Sequence, residues 1–81
     1  MRCEVLLFAQ LAEETGRDRL TVDLPGGATA DDALAALASA HAPIGRMRDT
    51  LAVAVNERYC DGGRALHDGD TIALIPPVSG G

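Results

Sequence analysis

The residues best suited to do chemistry in this chain are its last six, Pro76-Pro77-Val78-Ser79-Gly80-Gly81. None carries a charged side chain, and neither do the five before them, Thr71 to Ile75. Glycines lack a Cβ, so a backbone ending in Gly80-Gly81 fits a channel too narrow for other residues. The two prolines pre-set an extended departure and reduce the entropy lost when the base of the tail is ordered. Six extended residues reach about 20 Å, enough to pass from a small domain into a partner's buried site. A charged side chain on that path would add a desolvation cost of several kcal/mol. What the tail delivers is the Gly81 carboxylate, which is ionised at neutral pH and a poor electrophile. Reaction at that carbon needs prior activation.

The other reactive side chains are scattered. Cys3 and Cys60 form neither a disulfide framework nor a metal-ligand spacing and read as two reduced thiols. His41 and His67 stand apart from each other and from any carboxylate cluster, so no metal site is expected. Gly-Gly also occurs at 26–27 and 62–63, where both pairs read as turns.

A domain has to position that tail, and 81 residues suffice for one. The apolar fraction of 47% is inflated by 14 alanines, so a compact two-layer fold is the realistic limit. A net charge of −5 argues against a nucleic-acid binder, which wants a basic face. Neither an 18-residue apolar run nor a charged start followed by an apolar core is present. The expected location is the cytoplasm.

Residues 2–8 alternate as a strand, with Cys3, Val5 and Leu7 on one face and Arg2, Glu4, Leu6 and Phe8 on the other. A short helical turn over 9–16 stops at Gly16. A second strand, 19–24, places Leu20, Val22 and Leu24 on one face. The strongest helix follows, N-capped by Thr29 with Asp31 and Asp32 in its first turn, where carboxylates complement the dipole. Ala30, Ala33, Leu34, Leu37, Ala38 and His41 make one stripe, and Pro43 ends the helix. A third strand at 51–56 points Leu51, Val53 and Val55 inward and Ala52 and Ala54 outward. A turn at 56–58, a very short strand at Tyr59-Cys60 and turns around Leu66 lead to the last strand, 71–75. One amphipathic helix across one mixed sheet is the economical way to bury these faces. In that arrangement the first two strands form a hairpin, and the last runs parallel beside the first.

This order resembles the ubiquitin-like β-grasp fold. The class is α+β: a mixed sheet of about five strands with one main helix across it and a flexible Gly-Gly tail. The domain spans 1–75 and the extended tail 76–81. The "LLFAQLAEETG" start, the "VAVN" centre and the "LHDGDTIALIPPVSGG" end resemble the small subunit of molybdopterin synthase, the MoaD family of sulfur carriers. The most specific parts are Phe8-Ala9-Gln10, Asp68-Gly69-Asp70 and the tail.

The resemblance implies that an E1-like (MoeB-like) enzyme uses ATP to join the Gly81 carboxylate to AMP. Sulfur from a donor then displaces AMP and leaves a thiocarboxylate. That sulfur attacks a cyclic pterin monophosphate on a MoaE-like large subunit, in a heterotetramer with two large subunits. Pocket, acid and base belong to the partner, so the chain binds no cofactor and is no enzyme on its own. Strand parity puts Phe8 and Ile75 side by side where the tail departs, bordered by Tyr59, as a partner-binding patch. The other reading packs Phe8 into the core through Leu11. One departure is "NERYCDGG" at the short strand, with Arg58 and Cys60 where such carriers often have apolar or small residues.

Two further readings fit the same tail. Another β-grasp carrier, for thiamine or tRNA thiolation, generally lacks the Pro-Pro-Val-Ser lead-in. A ubiquitin-like protein modifier would use the same activated carboxylate. The chain has seven basic residues, all arginine, and no lysine. Compositional bias accounts for this best, with the absence of isopeptide acceptors on a carrier as the second reading.

Overall fold

The computed structural model describes residues 1–77, so the expectations for Val78, Ser79, Gly80 and Gly81 lie outside the described residues. Five strands form one sheet: β1 (Arg2–Leu7), β2 (Arg19–Asp23), β3 (Ala52–Val55), β4 (Arg58–Tyr59) and β5 (Thr71–Ile75), in the order β2-β1-β5-β3-β4. The helices are α1 (Ala9–Thr15), α2 (Ala30–Ala40) and α3 (Ala42–Met47), with a 3-10 turn at Arg48–Thr50. The sheet is mixed, as the order of strands around one main helix predicts. β1 pairs antiparallel with β2 and parallel with β5, and β3 pairs antiparallel with both β5 and β4.

The inner face of the sheet carries Cys3, Val5, Leu7, Leu20, Val55, Ile72 and Leu74, all buried. α2 covers it because its apolar residues recur at helical spacing, and Ala33, Leu34 and Leu37 are buried. Burying Leu34 and Leu37 contributes about 2 kcal/mol each. Thr29 caps the helix as expected, and more fully: Asp32 completes a capping box by returning a carboxylate to the Thr29 amide at 2.9 Å. Gly16 closes α1 in the left-handed conformation at φ 73°.

The structure departs from the sequence reading in three places. Pro43 does not simply end a helix. It lies in the first turn of α3, where its missing N–H costs nothing, and α3 buries Ile44 completely. The third strand begins at Ala52 rather than residue 51, and the short strand is Arg58–Tyr59 rather than Tyr59-Cys60. Asn56 and Glu57, at φ 51° and 71°, form the two-residue loop between them, so the register shifts by one. Ala54 is on the outer face yet buried, flanked by Ala73 and Tyr59.

A polar knot fixes that loop to the last strand. Asp70, the one buried charged residue among those described, accepts from Asn56 Nδ2 at 2.9 Å and from the His67 amide at 2.8 Å. The Thr71 amide donates to Asn56 Oδ1 at 3.0 Å. These bonds, that from Asn56 foremost, hold the Asp70 carboxyl below its usual range.

Candidate functional site

The parallel register of β1 and β5 brings Leu7 opposite Leu74, both facing the core. One residue further along each strand come Phe8 and Ile75, which point to the other face. Phe8 is 43% exposed, so it belongs to the surface and not to the core, although its neighbour Leu11 is fully buried. Ile75 is half-buried beside Ala52 of β3. Pro76 is buried and Pro77 exposed. Phe8, Ile75, Pro76 and Pro77 line one groove with Ala9, Gln10 and Glu13 of α1.

The groove thus stands where the chain leaves the sheet. Pro76 fixes its own φ and anchors the chain at that point, while Pro77 gives the outer rim. Glu13 is the one ionisable side chain lining it. These residues offer apolar contact and direction, and they hold no nucleophile. Across the described residues, no group of three or more His, Cys, Asp or Glu side chains gathers as a metal site would require. No helix among them is long and apolar enough to cross a membrane. Cys3 is buried, and burial pushes its thiol up and away from the reactive thiolate.

Tyr59 is placed differently. It is 73% exposed on β4, at the far edge of the sheet, and does not line the groove. A row of paired residues crosses the outer face from β1 to Tyr59: Leu6 beside Ala73, Ala73 beside Ala54, Ala54 beside Tyr59. The small alanines make this row a low floor between Leu6 and Tyr59. Sequence reasoning missed Ala9, Gln10 and Glu13 as groove residues. The turn of α1 against the end of β5 brings them in, and only the strand order could have signalled it.

The model of the ThiS family matches residues 5–81. A molybdopterin synthase sulfur carrier subunit from Chlamydomonas reinhardtii is 39% identical, with all of both chains covered. Small archaeal modifier protein 1 from Haloferax volcanii is 42% identical over 93% of this chain and 95% of the relative. The crystal structure of that modifier superposes with a TM-score of 0.87, covering all of both chains at 41% identity. Subunit 1 and 2 of the molybdopterin-converting factor from Helicobacter pylori were solved as a complex. The matching chain there is 26% identical, with all of both chains covered and a TM-score of 0.75. A ubiquitin from Caldiarchaeum subterraneum, at 17% identity and a TM-score of 0.68, shows the shared fold alone.

Proposed function

The chain belongs to the ThiS family, and on that footing we propose that it is the sulfur-carrier subunit of a molybdopterin synthase. The observation that carries this reading is the groove at the root of the tail, on a chain similar end to end to such a carrier subunit. A carrier must present its terminus to two partners in turn. A rigid exit beside an exposed aromatic suits that task.

The chemistry proceeds at Gly81. Its carboxylate oxygen attacks the α-phosphorus of ATP on an E1-like enzyme, releasing pyrophosphate and forming an acyl-adenylate. Sulfide-level sulfur from a donor attacks the acyl carbon, the bond to AMP breaks, and a thiocarboxylate is left. The sulfur then attacks a carbon of a cyclic pterin monophosphate held by the large subunit, displacing an oxygen substituent, and water cleaves the Gly81 C–S bond to return the carboxylate. This chain supplies the sulfur and the docking surface formed by Phe8 and Ile75; the partner supplies the pocket and the proton transfers. A large subunit is the partner that the Helicobacter complex supports.

Intact mass spectrometry after incubation with the activating enzyme, ATP and a sulfur source tests the reading. The protein should gain the difference between sulfur and oxygen at Gly81; an adduct on Cys3 or Cys60 would overturn it. Tail length should matter more than tail composition. Deleting Gly81 withdraws the reacting atom by about 3.5 Å, and a misplacement of even about 1 Å costs on the order of a hundredfold in rate. Ser79→Thr should be nearly silent in the same molybdopterin assay.

The similarity to small archaeal modifier protein 1 favours a second reading, protein modification through the same acyl-adenylate. An amine of a target would then displace AMP and form an amide. Conjugates that carry Gly81 on target lysines in a lysate would support it, and their absence beside normal molybdopterin synthesis would leave the carrier alone.

A further inference from the structure

β2 forms one edge of the sheet, and its hydrogen-bonding parity fixes which of its main-chain groups lack a partner. At one end of its ladder with β1, the Leu24 amide donates to the Met1 carbonyl at 2.8 Å. The Met1 ammonium donates back to the Leu24 carbonyl at 2.7 Å. At the other end the Leu7 amide donates to the Asp18 carbonyl at 2.9 Å. Even-numbered residues of this strand therefore bond β1, and the N–H and C=O of Arg19, Thr21 and Asp23 point away from it. Each of these residues offers one donor and one acceptor on an open edge.

Proteins usually guard such an edge with a proline, a bulge, a very short strand or charge that repels a neighbour. β2 is five residues long, contains no proline, and keeps its register with β1 unbroken from Arg19 to Asp23. Its charges do not guard it against its own copy. Arg19 and Asp23 lie two residues either side of Thr21 and carry opposite signs. When a second copy is turned antiparallel about Thr21, Arg19 of each faces Asp23 of the other. Parallel pairing in register sets Arg19 against Arg19 and Asp23 against Asp23, which is unfavourable. Both side chains have room for the antiparallel contact, at 64% and 73% exposure, and Arg2 occupies only one oxygen of Asp23. On the inner face the same register lays Leu20 of one copy beside Val22 of the other. Val22 is only partly buried within its own chain.

We propose that the β2 edge is a self-docking surface, on which a second copy of this chain pairs antiparallel about Thr21 and joins the two sheets into one. Main-chain bonds supply the contact, while the Arg19–Asp23 pairs fix direction and register. The edge thereby differs from the outer face of β2, whose charges are met within the chain. A pair of five-residue strands is small beside a standard interface, so the dimer is a transient one. No residue of β2 lines the groove beside Phe8, and pairing leaves that groove open on each copy.

Sedimentation equilibrium of the full chain, from micromolar to millimolar concentration, tests the proposal. The average mass should rise toward that of a dimer. NMR over the same range should move the amide signals of Arg19, Thr21 and Asp23 and leave those of Arg58 and Tyr59, on the opposite edge, in place. Arg19→Glu sets acid against acid in both cross-copy pairs, and Asp23→Arg sets base against base. Each should raise the dimer Kd about tenfold or more. Mixed in equal amounts, the two variants again present opposite charges at both pairs, and their mixed dimer should form with about wild-type affinity. Mixing does not repair a folding defect, so this recovery separates docking from stability. A wild type that stays monomeric at millimolar concentration overturns the proposal. So do signal shifts centred on β4 or on the neutral outer face, and so does a mixture that associates no more tightly than either variant alone. Where a variant fails to fold, the wild-type shifts decide. No activating enzyme or large subunit enters the experiment, so its outcome is independent of the carrier reading.

Discussion

The outer face of the sheet is divided between two kinds of surface. On β2 and β1, charges meet in pairs: Arg2 with Asp23 at 3.0 Å and Arg19 with Glu4 at 3.4 Å. On β5 and β3 the outward residues are Thr71, Ala73, Ile75, Ala52 and Ala54, none of them charged. Phe8 stands at one end of that neutral half and Tyr59 at its edge. The charged half satisfies itself and gains little from a partner, since exposed pairs contribute little even to folding. The neutral half leaves apolar area in water, and a carrier whose chemistry lies on its partners has a use for that. Both halves belong to one sheet, and the boundary crosses β1, where charged Arg2 and Glu4 give way to Leu6 and then Phe8. The tail leaves from the neutral side.

The sharpest way to break this division is to place charge on the neutral half at the groove. Phe8→Asp and Ile75→Asp should each leave the fold intact and weaken binding to the large subunit and the activating enzyme by about 2 kcal/mol or more. That is roughly a thirtyfold loss of affinity. Circular dichroism melts run beside a binding titration separate the outcomes. Unchanged affinity in a folded variant would remove the patch from the mechanism.

The next effect falls on stability. Asp70 and Asn56 tie the β3–β4 loop to the start of β5 and keep the neutral half in register. Asp70→Ala leaves the Asn56 amide and the His67 N–H without their acceptor, at a cost of about 2 kcal/mol. The Asp70 carboxyl is held below its ordinary value of 3.8, so its contribution is fully present above that pH. It is lost as pH falls through the folded-state value. Wild type should therefore lose stability between its neutral plateau and strongly acidic pH more steeply than Asp70→Ala does. Parallel urea titrations across acidic pH check this, and matching slopes would show that Asp70 does not carry the acid sensitivity.

Tyr59 marks how far the docking surface extends. It is exposed but separated from the groove by Ala54 and Ala73. Tyr59→Ala should cost less than about 1 kcal/mol in binding, as residues outside the central anchors of an interface usually do. A loss equal to that of Phe8→Asp would move the centre of the surface toward β4.

Much of this was legible in the sequence, for local reasons. Alternation in residues 2–8 put Phe8 on the outer face, and the same parity put Ile75 there. Thr29 announced its helix because a hydroxyl before a pair of aspartates is a local cap signal. What stayed hidden depends on contacts distant in sequence or on conformation without a residue signature. α3 spans six residues, too few for a periodic stripe, and Pro43 reads as a stop unless Ile44 is known to be buried. The Asn56–Asp70 bond joins positions 14 apart, and neither residue type announces the other. Ala9 carries no sign of its left-handed backbone, since alanine, unlike glycine, asparagine or aspartate, is not a residue type enriched there. The separation of Tyr59 from the groove follows from the strand order, which places β3 between β4 and β5.

The smallest expected effect tests the other side of the division. Arg2→Gln combined with Asp23→Asn removes one positive and one negative charge, so the formal net charge of −5 is unchanged. Long-range attraction to a basic partner is thereby held constant, and only the local pair is lost. Arg2 donates to Asp23 at 3.0 Å, and that hydrogen bond holds the Asp23 carboxyl below its usual range. Both side chains are more than two-thirds exposed, so water and salt replace the interaction readily. The double variant should melt with wild type and bind the large subunit with the same affinity at moderate salt. A drop in binding like that of Phe8→Asp would mean that the charged half also docks, and that the partner reads the whole outer face. A drop in melting temperature without a drop in binding would instead make the pair a clamp on the β1–β2 hairpin and leave the division standing.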